Sequence, residues 1–248
     1  MNNEDPLPPS QSRYNFKEGA TLLVDKPKDW TSFDVVNKIR FALKRALGVK
    51  KIKVGHAGTL DPLATGLLIV CTGKSTKKID TYQSLVKEYT GTLRFGGTTP
   101  SYDAETEVDH HFAYDHISKE RVQQVIEAHF LGEIEQVPPM FSAIKVDGQP
   151  LYKKARKGQS VAVKSRKVRI DEFDLGPFLP PELTFRIQCS KGTYIRSIAH
   201  DLGKALDSGA YLSSLRRTAI GEHKIEDAWN LEALCEHINL YRPISTEE

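Results

Sequence analysis

Five consecutive apolar residues, LLIVC at 67–71, constrain this chain more than any other stretch. An unbroken run of that length, closed by polar residues, reads as a buried strand rather than a half-exposed one. The 248 residues, 39% of them hydrophobic, can supply the core it needs in one large domain or two small ones. The loop that feeds the strand, GHAGTLDPLATG (55–66), sets a single carboxylate, Asp61, between glycines on both sides. The glycines permit tight turns and close approach of another chain's backbone, and Pro62 stiffens the exit. On spacing alone, Asp61 is either a turn cap or a residue the loop is built to present.

Around this strand the chain mixes strand and helix signals. TLLVDKP (21–27) reads as a strand closing on a turn, and VKEYTGTLRFG (86–96) alternates like a half-buried strand. Ser32 is expected to cap a helix with Val36, Ile39, Leu43 and Leu47 along one face and Gly48 at its end. Ser118 opens a second helix, with Val122, Val125, Ile126 and Phe130 inward and Gly132 at its end. Asp147-Gly148 suggests a tight hairpin, followed by LYKKARKG and a basic strand within VKSRKVRIDEFDL. LTFRIQCS (183–190) is another strand, GTYIRSIAHDLGKAL a helix, and the chain ends on a strand and a short helix. Without strict βαβ alternation, the expectation is an α+β fold around one mixed, largely antiparallel sheet.

Charge is segregated. Residues 35–60 carry seven Lys/Arg and no acid, and residues 142–169 carry nine against Asp147 alone. Residues 101–135 carry nine acids and two bases. Two basic blocks divided by an acidic one suit a polyanion on one face as well as they suit solvated surfaces. No apolar run approaches the roughly 20 residues a membrane span needs. Residues 1–19, polar and Pro-rich, read as a disordered lead-in rather than a signal peptide. Cys71, Cys189 and Cys235 lie far apart with no CxxC pair, so a reducing cytoplasm is inferred.

Several near-motifs fail. TGKST (72–76) ends like a phosphate-binding loop, but Leu68 stands where the leading glycine belongs. CSKGTYIR (189–196) spaces its Arg one residue too far for a cysteine phosphatase. No HExxH or HxxxH pair offers a metal site, so neither metal nor cofactor is expected. What remains is Asp61 and a candidate cation, Arg196, an arrangement suited to a carboxylate nucleophile or base. From spacing, a structural role for each is as admissible. His56 can meet phosphate or a base, or be a satisfied loop histidine; Tyr89 and Tyr194 are base platforms or core.

GHAGTLDPLATGLL, VKEY, PPMFSAIKVDGQPLYKKARKG, CSKGTYIRSIAHDLG and LSSLRRTAIG occur in the order found in tRNA pseudouridine-55 synthases of the TruB type. The chain resembles the bacterial form of that family over roughly residues 20–230. The resemblance implies the pseudouridine synthase fold, a sheet flanked by helices with a basic thumb-like insertion (138–168), within one catalytic domain (20–240) and a tail (241–248). It implies isomerisation of one uridine of the tRNA T loop after base flipping. Asp61 matches the essential aspartate, Tyr89 the tyrosine packed on the target base, and Arg196 the arginine paired with the aspartate. Tyr194 and Leu215 match pocket positions, His56 the residue that meets the disrupted loop, and Lys26 and Pro27 a supporting motif. Thr99 and Asp103 match part of a further motif, in which Pro100 replaces an acid. Lys145, Lys153, Lys154, Arg156 and Lys157 fall in the thumb, where cations would meet phosphates. His223 stands where the family has Phe, and no C-terminal PUA domain is expected. A monomer acting on tRNA without an obligatory protein partner follows by default. The alternatives are a tRNA-binding or folding module with secondary or lost catalysis, and a two-carboxylate glycosidase using Asp103.

Overall fold

The structure, a computed structural model, describes residues 14–146, 148–159 and 161–240. They divide into two compact units, one of residues up to 85 together with 216 onward, the other of residues 86–215. In chain order the first unit begins with β1 (Thr21–Lys26), α1 (Ser32–Ala46), β2 (Val54–His56), β3 (Thr65–Thr72) and α2 (Ile79–Ser84). The second holds β4 (Lys87–Phe95), β5 (Gly97–Thr98), β6 (His110–His111), α3 (Lys119–His129), β7 (Gly132–Gln136), β8 (Lys145–Val146), β9 (Gln149–Pro150), α4 (Leu151–Ala155), β10 (Arg166–Leu179), β11 (Glu182–Cys189) and α5 (Ile195–Ala205). β12 (Ala210–Ile220) then gives its first half to the second unit and its second half to the first. β13 (His223–Lys224), β14 (Trp229–Asn230) and α6 (Leu231–Leu240) complete the first unit.

In the first unit β3 explains its own sequence. It pairs antiparallel with β1, Thr21 opposite Cys71 through Lys26 opposite Gly66, and antiparallel with β2. The second half of β12 adds to it in parallel at Arg216–Thr65 and Arg217–Gly66, and β14 adds to β1 in parallel. Leu68 and Val70 face a core made with Phe16, Leu22, Val24, Val35, Val36, Ile39, Leu43, Leu231, Leu234 and Ile238. Leu67, Ile69 and Cys71 face a second cluster with Ala57 and Ile220. Both faces of the strand are covered, which is why LLIVC shows no alternation. α1 buries its Val35, Val36, Ile39 and Leu43 stripe against this core and packs on α6.

Two expectations need correction here. Ser32 does not cap α1: Thr31 does, in a reciprocal capping box with Asp34. The lead-in is shorter than read, because Phe16 is fully buried in the core and Tyr14 stacks on it with ring centroids 5.4 Å apart. Residues 1–13 and 241–248 lie outside the described residues. His223, in place of Phe, packs edge-on against the Tyr82 ring at 5.5 Å.

In the second unit β4 pairs antiparallel with β11, β11 with β10 and β10 with β7, while the first half of β12 neighbours β4. Gly91 makes the last approach possible, since a Cβ there would lie 2.6 Å from the Ser214 carbonyl. α3, capped by Ser118 as expected, packs against β10 and α5 through Val122 and Ile126. β5 pairs with β6 and β8 with β9, each as a separate two-stranded element. The β8–β9 register, Val146 opposite Gln149, leaves a two-residue turn. Its Gly148 has φ +76°, and its Asp147 lies outside the described residues. The mixed, mostly antiparallel sheet with flanking helices is the α+β architecture expected.

Candidate functional site

The predicted site residues fall into two groups, one in each unit. In the first, the Asp61 loop links β2 to β3 and is held at three points. Gly66 has φ +104°, and a Cβ on it would sit 2.3 Å from the Arg217 carbonyl, so only glycine fits. Arg217, buried in β12, donates to the Leu67 carbonyl at 2.7 Å and the Gly58 carbonyl at 3.1 Å, bracketing the loop. The Ser32 hydroxyl binds Leu60 through both its amide (2.8 Å) and its carbonyl (3.1 Å), and the Ala64 amide closes back on the Asp61 carbonyl. Asp61 is thereby half-buried on a backbone that cannot relax freely.

Lys26 and Pro27 sit under this loop. Lys26 is fully buried, and its Nζ donates to the carbonyls of Pro27 (2.8 Å), Trp30 (2.6 Å) and Pro62 (3.4 Å). The last of these ties the ammonium to the residue after Asp61, and the Asp29 amide holds the same carbonyl at 2.9 Å. His56 ends β2. Burial lowers its pKa, the nearby Arg217 guanidinium lowers it further, and its Nδ1 is buried without a hydrogen-bond partner. The lowered pKa favours the neutral imidazole, and its Nδ1 can bond a nucleotide only if the surrounding loop opens to reach it.

In the second unit Arg196 opens α5 and is buried. Its Nη1 donates to the Ser101 carbonyl and its Nη2 to the Phe141 carbonyl, both at 2.8 Å. Its Nε lies 3.5 Å from the Asp103 carboxylate, which is itself 1% exposed. Asp103 also takes the Ser101 hydroxyl at 2.5 Å and the Glu105 amide at 3.0 Å, and its carbonyl accepts from the Thr99 hydroxyl. Thr99 and Asp103 are thus built into the wall that holds Arg196. Buried, with one oxygen bonded to Ser101 and Glu105 and the other facing the Arg196 guanidinium, Asp103 is no open acid of the kind a glycosidase needs.

Tyr194, one residue before α5, is fixed by Gln136: its amide donates to the Gln136 side chain at 2.7 Å and its carbonyl accepts from it at 3.0 Å. The Arg166 guanidinium lies 4.4 Å over its ring. Tyr89 is buried on β4 opposite Ile187, and Leu215 is half-buried on β12. In the thumb-like segment, α4 follows the β8–β9 hairpin, and Lys145 lies on β8. Lys153, Arg156 and Lys157 are exposed and Lys154 half-buried. With Tyr152 and Gln149, three of these cations line an open groove of about 670 Å³. Such a groove can receive a phosphate backbone.

Sequence reasoning missed Arg217, Ser32, Ser101, Gln136 and Arg166 as supports. Arg217 carried little signal: it stands beside Arg216 in a strand, AYLSSLRRTAI, that also holds two serines and a threonine, and nothing local said what it would hold. Among the described residues no group of His, Cys, Asp or Glu could hold a metal ion, and the three cysteines are buried and free. No helix among them is long and apolar enough to cross a membrane.

Comparison with known proteins shows the family of the chain. The model for the N-terminal domain of TruB family pseudouridylate synthases matches residues 44–195, and that for the tRNA pseudouridylate synthase B C-terminal domain matches 196–248. The chain is 53% identical to tRNA pseudouridine synthase B of Phocaeicola vulgatus, over 91% of this chain and 95% of that one. It is 47% identical to tRNA pseudouridine synthase B of Chloroherpeton thalassium, over 89% and 91%. Among solved structures, a chain of a Cbf5-Nop10-Gar1 complex superposes with a TM-score of 0.67 at 28% identity, covering 95% of this chain and 60% of that one. A chain of an H/ACA RNP bound to a substrate RNA containing 2'-deoxyuridine gives 0.64 at 26%, covering 89% and 53%. This protein therefore spans little more than half the length of those two chains. On the family models and these identities, the chain belongs to the TruB family of pseudouridylate synthases.

Proposed function

We propose that this protein converts the uridine at position 55 in the T loop of tRNA to pseudouridine, as a monomer in the cytoplasm and without metal or cofactor. What carries the reading is the Asp61 loop, whose glycine, arginine and lysine supports all serve to hold one carboxylate in place, in a chain half identical to tRNA pseudouridine synthases over nearly their whole length. A protein that only binds RNA gains nothing from an acid held in a basic surface.

The reaction breaks the bond from the ribose to N1 of uracil and forms one to C5, with a proton lost at C5 and one gained at N1. Asp61 acts as nucleophile or base in the first step. Tyr89 packs on the flipped base and assists removal of the C5 proton, and Arg196 supplies positive charge to the reaction. Tyr194 and Leu215 line the base pocket, and Arg166 over the Tyr194 ring supports that lining. His56 takes up the opened T loop, Lys26 and Pro27 keep the Asp61 loop in position, and the thumb cations bind phosphates.

The test uses an unmodified tRNA transcript tritiated at uridine C5, with excess EDTA. Wild type releases tritium to water, and Asp61→Asn releases none while binding the transcript with unchanged affinity. Equal release by both would overturn the assignment of Asp61. Tight binding without release by wild type would favour a tRNA-folding module instead.

A further inference from the structure

The Arg196 guanidinium rests on the segment Thr99–Asp103, taking the Ser101 carbonyl and the Asp103 carboxylate. Tyr102, between those two residues, has φ +64°, a left-handed conformation that a bulky residue seldom adopts. It is this reversal that lets the groups of residues 101 and 103 both turn towards Arg196. The backbone of Tyr102 is held at both ends, its amide donating to the Thr99 carbonyl and its carbonyl accepting from the Leu212 amide, each at 3.1 Å.

The Tyr102 side chain is held by a ring. His200 stacks on it with centroids 3.9 Å apart and planes 13° from parallel. His200 lies one turn beyond Arg196 on α5, on the same side of the helix. Its Nδ1 is buried with no hydrogen-bond partner, so on that side the imidazole presents its face and edge, not a polar bond. The charged groups acting on it are Lys204 from its own helix and Asp109 from the segment after β5.

We infer that the stacked pair Tyr102–His200 is a positioning device for the reaction, clamping the reversed segment 101–103 so that Arg196 is held in its working orientation. The inference rests on the proposed catalytic role of Arg196. His200 is a positioning residue, since it acts through Tyr102 and not on the uridine. One helix supplies both the arginine and the ring that steadies the arginine's cradle, so a shift of α5 moves both together. Without the stack, the two backbone hydrogen bonds of Tyr102 hold the reversed segment alone, and a small shift of it carries the Ser101 carbonyl away from Arg196.

The test measures tritium release from C5-labelled tRNA for wild type, His200→Ala, His200→Phe, Tyr102→Gly and Arg196→Lys, with a thermal melt of each. For His200→Ala the expected result is a kcat about tenfold lower, because small misplacements of a reacting group cost that order of rate. Its KM for tRNA should stay within about twofold and its melting temperature near that of wild type. His200→Phe, which can stack but cannot titrate, restores kcat to within about twofold. Tyr102→Gly, free to take the left-handed conformation but unable to stack, loses kcat as His200→Ala does. An unimpaired His200→Ala beside an inactive Arg196→Lys overturns the clamp alone. A raised KM with intact kcat, or equal loss in His200→Ala and His200→Phe, also overturns it. Full activity in Arg196→Lys overturns the catalytic reading of Arg196 and the clamp with it.

Discussion

The Ser32 hydroxyl holds Leu60 by both backbone groups, accepting from its amide at 2.8 Å and donating to its carbonyl at 3.1 Å. Leu60 directly precedes Asp61, so the first residue of α1 anchors the loop that presents the carboxylate. Ser32→Ala leaves two buried backbone groups without their side-chain partner and is expected to cost about 1–3 kcal/mol. Thr31→Ala, which removes the exposed cap of the same helix, costs about 1 kcal/mol. Urea unfolding ranks the two. Tritium release separates them further, because only Ser32→Ala loosens the loop: its kcat falls, while that of Thr31→Ala stays at the wild-type value.

Lys26 makes a related prediction. Its ammonium is spent on the carbonyls of Pro27, Trp30 and Pro62, with no part of the side chain exposed. Lys26→Met keeps the volume but removes the ammonium from the Pro27 and Trp30 carbonyls, while Pro62 keeps the Asp29 amide, for an expected loss of about 3 kcal/mol. Lys26→Arg does not rescue it, because a planar guanidinium cannot point its donors at carbonyls arranged around a compact ammonium. Denaturant midpoints of the two variants check this; an arginine variant as stable as wild type would count against the geometry.

These supports mark where the sequence was legible. LLIVC announced a strand buried on both faces because composition alone encodes that, and Ser118 announced its helix because a cap acts within one turn. Asp61 stood out because glycines and a proline around one acid restrict the backbone locally. Arg196's partners were not legible: Ser101 and Asp103 are over ninety residues away along the chain, and nothing near Arg196 specifies them. Ser32 was misread for the same reason, since its partner is Leu60 rather than its own helix. Phe16 looked like lead-in because the segment before it is polar and Pro-rich, and only the fold supplies the core of β1, α1, β3 and α6 residues that buries it. The charge pattern marked where the cations cluster along the chain, and the arrangement of three of them around one groove came from the β8–β9 hairpin and α4.

That groove gives the third prediction. Lys153, Lys154, Arg156 and Lys157 changed together to Ala should raise KM for tRNA and leave kcat near the wild-type value. Each lost phosphate contact lowers the slope of log affinity against log salt by about 0.7–0.9, so four contacts flatten it by about 3. Binding measured from low to moderate salt decides. An unchanged slope would remove these side chains from the RNA-contacting surface.

Two glycines with positive φ should respond differently to alanine. Gly48 follows α1 at φ +62° with nothing within 4 Å of its would-be Cβ, so Gly48→Ala costs only the left-handed penalty of about 1 kcal/mol. Gly66 adds to a similar penalty a Cβ 2.3 Å from the Arg217 carbonyl, a backbone atom in a paired strand. Gly66→Ala is expected to lose more than about 3 kcal/mol or to fail to fold. Comparable melting of the two variants would show that β12 can shift away from β3.

The last prediction concerns pH. Burial pushes the Asp201 carboxyl up to about 6, and Lys204 opposes this only in part. Its unfolded pKa is about 3.9, so between about pH 4 and 6 the native state holds a proton that the unfolded chain has released. Stability from this group is therefore full below about pH 4 and is lost as pH rises through 6. Asp201→Asn mimics the protonated form and removes the loss. At pH 7 the variant should be more stable by about 1–2 kcal/mol, less than the full shift implies because solvent still screens a half-buried carboxylate. At pH 4 the two should coincide. His200, whose pKa is lowered by burial, gives the opposite slope near pH 6 in both proteins. The difference in urea midpoint between wild type and variant, followed from pH 4 to 7, therefore isolates Asp201. A variant less stable than wild type at pH 7 would mean that the carboxylate is held by bonds that favour its charge.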